Sequence, residues 1–243
     1  MRRDLSGKKI LFTSGKGGVG KSTLSTTYAK ILCSQGYQVL MIDCDVELRT
    51  LDIMLSVSSL VLYDWYDIIE GNIDTRSALI TTGGPKLLAA PTYDVDVSAA
   101  DMRKLVSIYD HEFDYIILDC PAGVGPIFEA ALGVADMAII VSTPDNVCVR
   151  SAGVAAEKAA DAGVEARLII NRFQKGVVLG GRALNIDEVV DATGVQLVGV
   201  VPEDKGLVLS MQNGELVDPN GKAVKAMKRV ARRLEGEHVP LKL

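Results

Sequence analysis

Three features of the sequence predict an α/β fold: a single-domain, doubly wound, mostly parallel sheet with helices on both faces, spanning residues 1–243. Short apolar runs recur along the chain, the runs are continuous rather than alternating, and segments with helical spacing separate most of them. Continuous apolar runs suit parallel strands buried on both faces. Alternation of strand and helix argues for one sheet built with right-handed crossovers.

The first strand is expected at Ile10-Leu11-Phe12, followed by a helix over 21–35. Val39-Leu40-Met41-Ile42 gives the second strand. The stretch 71–100 reads as a short helix, a Gly83-Gly84-Pro85 turn and the strand Leu87-Leu88-Ala89-Ala90, ahead of a helix over 99–109. Strands at Tyr115-Ile116-Ile117-Leu118, Ala138-Ile139-Ile140-Val141, Leu168-Ile169-Ile170 and Leu197-Val198-Gly199-Val200-Val201 complete the sheet, with helices over 147–162 and 186–193 between the later ones. In the last helix Ala223, Met227, Val230, Ala231 and Leu234 form one apolar stripe. Lys225, Lys228, Arg229, Arg232 and Arg233 then crowd the outer side as a solvated face, with a weak anionic-lipid or DNA contact as the alternative. No linker, repeat or low-complexity tract divides the chain.

Composition narrows the function classes. The 243 residues carry 26 Lys+Arg against 31 Asp+Glu, a net charge of -5, so binding nucleic acid through net charge is disfavoured. With 48% hydrophobic residues the chain is not disordered. Its longest apolar runs fall well short of a membrane-spanning helix, and the start Met1-Arg2-Arg3-Asp4 lacks the apolar core of a secretory signal. A cytoplasmic location is expected. Cys33, Cys44, Cys120 and Cys148 lie in apolar runs without C-x-x-C spacing and read as buried free thiols. His111 and His238 are too far apart in sequence to suggest a metal centre.

Chemistry concentrates where strands end, as it does in open α/β sheets. Gly15-Lys16-Gly17-Gly18-Val19-Gly20-Lys21-Ser22 fits the phosphate-loop pattern G-x-x-x-x-G-K-[ST], following a strand and opening a helix. Its four glycines let backbone N–H groups turn inward and leave room for phosphate oxygens. The helix adds free N–H groups and its positive dipole end. Lys21 is expected to reach the β- and γ-phosphates and the Ser22 hydroxyl to ligate Mg²⁺. Asp43 and Asp45 follow the second strand, and two carboxylates so close call for a cation or hydrogen bonds between them. Asp119 ends the run Tyr115-Ile116-Ile117-Leu118, as a Walker B acid supporting Mg²⁺ does.

Lys16, a second lysine just after the first glycine, is unusual. The string from Lys16 through Thr23 resembles the deviant Walker A motif of the MinD/ParA family of ATPases. So do Asp43-Cys44-Asp45-Val46-Glu47-Leu48-Arg49-Thr50-Leu51-Asp52, Leu62-Tyr63-Asp64, Asp119-Cys120-Pro121-Ala122-Gly123-Val124, Val200-Val201-Pro202-Glu203-Asp204 and Ala231-Arg232-Arg233-Leu234. Together they cover nearly the whole chain and favour the MinD branch. The resemblance implies a homodimer with nucleotide sandwiched between subunits, Lys16 reaching phosphate in the partner. It implies that Asp43 and Asp119 are magnesium-side acids and that Asp45 positions the attacking water. Asn171-Arg172 and Pro202-Glu203 resemble the adenine side, which implies ATP; an ordinary strand-end turn is the alternative there. The implied activity is ATP hydrolysis that opens a switch positioning the division-site inhibitor at the septum.

Three departures stand out. Arg150-Ser151-Ala152-Gly153 lacks the acidic residues that the family carries after this arginine, which bears on a MinC- or MinE-like regulator at Ser151 and Gly153. Glu47 stands where many relatives have glycine. After the last helix comes Gly236-Glu237-His238-Val239-Pro240 and then three residues, too few for the family's amphipathic anchor; either the tail is naturally absent or the sequence is trimmed, and at most weak peripheral contact with the inner membrane face is expected. The alternative function is a related positioning ATPase with other cargo, such as DNA segregation or flagellar number. Electron donors and metal-insertion proteins share the loop but need paired cysteines, and no C-x-C or C-x-x-C exists here.

Overall fold

The computed structural model describes residues 6–46, 48–215 and 217–243. Met1 to Leu5, with the charged start of the chain, and Glu47 therefore lie outside the described residues. The elements run β1 (Lys8–Ser14), α1 (Lys21–Ser34), β2 (Val39–Asp43), α2 (Leu51–Met54), a 3-10 turn (Ser58–Leu60), α3 (Trp65–Glu70), β3 (Lys86–Leu88), α4 (Ala99–Tyr109) and β4 (Tyr115–Ala122). Then follow α5 (Pro126–Leu132), β5 (Met137–Ser142), α6 (Asn146–Asp161), β6 (Glu165–Phe173), α7 (Lys175–Leu179), α8 (Ile186–Thr193), β7 (Leu197–Pro202), α9 (Lys205–Gln212) and α10 (Lys222–Leu234).

The strands form one seven-stranded sheet in the order β3-β2-β4-β1-β5-β6-β7, and every neighbouring pair is parallel. Period-two alternation sends successive side chains to opposite faces. Ile10 and Phe12 of β1 pack with Met41, Tyr28 of α1 and Met227 of α10 on one face. Leu11 packs with Leu40, Ile42, Trp65, Leu105 and Phe128 on the other. Both faces are covered, which is why the runs read as continuously apolar. From β1 the chain winds first toward β2 and later toward β5, so the carboxyl end of β1 is the switch point where ligands bind in such sheets.

The expected helices at 99–109 and 186–193 match, and the others shift by one residue at their ends. The stretch 71–100 differs. The short helix is α3, which lies before Gly71; Gly71 ends it in the left-handed conformation (φ 75°). The Asp64–Asp67 capping box holds the helix start. After Gly71 the chain runs in turns until Ile80, which pairs antiparallel with Leu87.

In α10 the apolar stripe is buried as expected. Arg233 departs from a solvated role. Its guanidinium donates to the carbonyls of Val198 on edge strand β7 (2.8 Å), Val239 (2.8 Å) and Pro240 (2.9 Å). Among the thiols, Cys44, Cys120 and Cys148 are buried and Cys33 is half-buried. No helix of the described residues is long and apolar enough to cross a membrane.

Strand β7 meets α10 closely at Gly199, where a Cβ would stand 2.3 Å from Cγ2 of the fully buried Val230. Gly199→Ala is therefore expected to destabilise the fold by about 1–3 kcal/mol through overpacking. Urea unfolding checks this, and adding Val230→Ala should recover part of the loss.

Candidate functional site

The loop between β1 and α1 is shaped by its glycines. Gly18 (φ 80°) and Gly20 (φ 91°) hold left-handed backbone that a side chain would strain. A Cβ on Gly20 would also stand 2.5 Å from Nδ2 of Asn171. Gly15 is tighter still: its Cβ would meet the backbone and Cβ of Ser151 in α6 at 2.2–2.3 Å. Gly17 and Gly18 face open space instead. Helices α3, α4 and α8 each begin with a reciprocal side-chain capping box, whereas α1 begins at Gly20 with no side-chain cap. The first N–H groups of this 14-residue helix are thus presented beside open space, the arrangement that receives a phosphate.

At the centre is a buried ion pair. Lys21 Nζ donates to Asp119 Oδ2 (2.9 Å) and to Ser22 Oγ (3.0 Å). Ser22 Oγ donates to the same carboxylate oxygen (2.6 Å), and Ser25 Oγ to the other (2.9 Å). Burial alone would lower the Lys21 pKa, but the Asp119 charge and hydrogen bond, with Cys120 and Asp43 adding, leave it raised. Ser25 was not among the sequence candidates. Its signal is spacing, because a residue three after Ser22 on a helix faces the same way.

Asp43 pairs in register with Asp119 on the neighbouring strand, and both are fully buried. Their surroundings differ. Asp43 Oδ1 accepts from the backbone N–H of Asp45 (3.0 Å) and Oδ2 from that of Leu51 (3.0 Å), so this carboxylate ties both residues to the end of β2. The indole Nε1 of Trp65 donates to the Asp43 carbonyl (2.7 Å) from behind. Burial, then the nearby Asp119 charge, push the Asp43 pKa up to about 7, against the pull of the two N–H bonds and Lys21. A hydrogen bond from the Asp45 amide to the Asp43 carboxylate already joins the two residues.

Asp45 lines a cavity of about 340 Å³ together with Gly17, Gly18, Gly20, Lys21, Ser22, Thr23 and Arg172. Leu48, Thr50, Met54, Val208 and Gln212 add walls that motif reading did not single out. A smaller cavity, lined by Asn171, Pro202, Glu203 and Asp204, shares Gly20, Thr23 and Arg172 with the first. The candidate phosphate and base sides are therefore contiguous. Asn171 Nδ2 donates to the Val19 carbonyl (2.8 Å), which ties the end of β6 to the loop. Arg172 is left-handed (φ 53°) where the β6–β7 register shifts, a strained bulge of the sort that collects at functional sites. Lys16 is exposed, and its charge helps lower the Asp145 pKa, where burial works against the Thr143 and Cys148 hydrogen bonds and the lysine.

The donor set fits nucleotide and magnesium. A hydroxyl and a carboxylate are hard oxygen ligands, and an uncapped helix start with an adjacent lysine suits polyphosphate. In the nucleotide-free protein Asp43 is expected to titrate near neutrality. The folded state then holds a proton that the unfolded chain releases near pH 4, so this group's contribution to stability falls as pH rises from about 4 to about 7. Carboxyl NMR on the nucleotide-free, metal-free protein checks it; titration of Asp43 near pH 4 would overturn it.

Comparison with known proteins agrees with this geometry. The ParA family model, described as a NUBPL iron-transfer P-loop NTPase, matches residues 6–235. The septum site-determining protein MinD of Bacillus subtilis is 35% identical over 98% of this chain and 92% of its own length. MinD of Helicobacter pylori is 36% identical over 95% of this chain and 91% of its own length. Among solved structures, the MinC:MinD cell division protein complex of Aquifex aeolicus superposes with a TM-score of 0.89 at 34% identity, covering 97% of this chain and 98% of that one. With the phosphate loop, the buried lysine–aspartate pair and the parallel sheet all in place, the chain belongs to the ParA/MinD family of P-loop ATPases.

Proposed function

We propose that the chain is one ATPase domain working as a MinD-like switch in septum-site determination, closing into a homodimer with ATP and opening on hydrolysis to ADP. The observation that carries this reading is the Lys21–Ser22–Asp119 cluster at the uncapped start of α1, beside a cavity that adjoins a small recess lined by Asn171, Pro202 and Glu203. Full-length similarity to MinD proteins supports the cellular role. The likeness to a MinC:MinD complex supports a MinC-like partner.

Bound magnesium and ATP supply a polarised γ-phosphoryl group, the electrophile for water. The chain's own residues do the rest. Lys21 already faces an anion, Asp119, and exchanges it for phosphate. Ser22 would hold the magnesium through its hydroxyl oxygen, with Asp119 and Asp43 as the acids on its side, and the ion would neutralise phosphate charge there. Asp45, at the cavity wall, orients the attacking water. Asn171, Arg172, Pro202 and Glu203 hold the base, where the Asn171 amide oxygen suits adenine's amino donor. Lys16 at the exposed lip reaches the partner's nucleotide. Catalysis on this scheme is positioning and charge neutralisation.

Lys21→Ala should abolish tight Mg²⁺-ATP binding by calorimetry, and unchanged affinity would count against the loop assignment. Lys16→Ala should retain binding but lose dimer-dependent turnover. Light scattering should report a dimer with Mg²⁺-ATP and a monomer with Mg²⁺-ADP. A dimer in both states would sink the switch.

A further inference from the structure

A second surface lies outside the nucleotide cavity. From the end of the 3-10 turn to the start of α3 the chain exposes Leu60 (56%), Leu62 (81%) and Tyr63 (41%) in close succession. Tyr66 on α3 stands edge-on to Trp65 (6.2 Å) and to Tyr93 (6.3 Å), which is itself half exposed. Carboxylates surround these rings. Partial burial, then Glu70, Asp101 and Asp96, raise the Tyr66 pKa; partial burial, then Asp64 and Asp67 with Tyr66 and Glu70, raise that of Tyr93. Two cations nearby already have partners. Arg49 is paired with Asp52 (2.9 Å) while facing Asp64, and Lys104 donates to the Ile69 carbonyl (3.1 Å) while facing Asp101. The exposed apolar residues thus run along the chain directly into a segment whose rings lie in a negative field.

We infer that this face docks a cationic amphipathic segment of a partner protein, one that alternates Lys or Arg with apolar anchors. Apolar anchors find Leu60, Leu62 and the tyrosine faces, and the cations meet carboxylates and ring quadrupoles together. The same field repels anionic lipid and nucleic acid, which separates this face from the basic side of α10. Trp65 beneath the face donates to the Asp43 carbonyl, so an occupant would press on the end of the strand that carries the active-site loop. The inference does not depend on the switch reading, since none of these residues lines the nucleotide cavity.

The test uses the full chain and a fluorescent leucine–lysine peptide of about 18 residues patterned as an amphipathic helix. Anisotropy should show saturable binding that weakens with salt, and the matching leucine–glutamate peptide should not bind. Leu62→Ser and the pair Glu70→Gln/Asp96→Asn should each weaken binding about tenfold. Asp187→Asn/Asp191→Asn on α8, with the same charge change, should leave it within about twofold. Leu62 is too exposed for its replacement to threaten folding, and a thermal melt verifies that. Equal weakening by the α8 pair, or no saturable binding, overturns the inference. A mass doubling at low salt that Leu62→Ser abolishes would give the face to a second copy of this chain, which also overturns it.

Discussion

The contact between Lys21 and Asp119 holds the centre of this molecule together. One partner is the first residue of α1, directly after the phosphate loop, the other lies on β4, and both are withdrawn from water, with side-chain exposures of 7% and 0%. Removing one member of such a pair costs about 3–5 kcal/mol, because the other is left buried and charged. The two serine hydroxyls satisfy what remains of the carboxylate. The loop is therefore set, before any nucleotide arrives, with its ammonium already facing an anion. Phosphate has to displace Asp119 from the ammonium, so the pair holds the lysine in place for the exchange rather than leaving it free.

Asp43 shows how environment divides labour between two similar residues. It stands at the same level of the adjacent strand, yet it faces amides rather than an ammonium. Its two amide bonds hold Asp45 and Leu51 at the end of β2, and Asp45, Leu48 and Thr50 line the cavity wall. The indole of Trp65 fixes the carbonyl behind it. One carboxylate answers the lysine and the other builds the frame, although in sequence both are simply the acid after an apolar strand.

Much of this was legible in advance. The sheet could be read because strands covered on both faces leave unbroken apolar runs, and the phosphate loop because its backbone angles demand glycine at fixed spacing. The region between Gly71 and Ala100 could not, since its turns are stabilised by isolated contacts such as the pairing of Ile80 with Leu87. The role of Arg233 was also hidden. A basic residue near a helix end reads as solvated, and nothing local says that its guanidinium will bind three carbonyls from β7 and the chain after α10. At the site, motif spacing named the charged groups and helical spacing from Ser22 could have pointed to Ser25, whereas Trp65 and the walls from α2 and α9 came into view only through three-dimensional proximity.

The contact of Gly15 with Ser151 has a mechanical consequence. It is backbone against backbone, with no room even for a methyl group. Shape alone therefore locks the front of the phosphate loop to α6, the helix that follows β5. A push on that helix from outside arrives at the loop as displacement, without passing through a chain of charges. Signals of this steric kind are indifferent to ionic strength and proton concentration, so a regulator gripping α6 would have a lever on the phosphates that works the same way in any cellular medium.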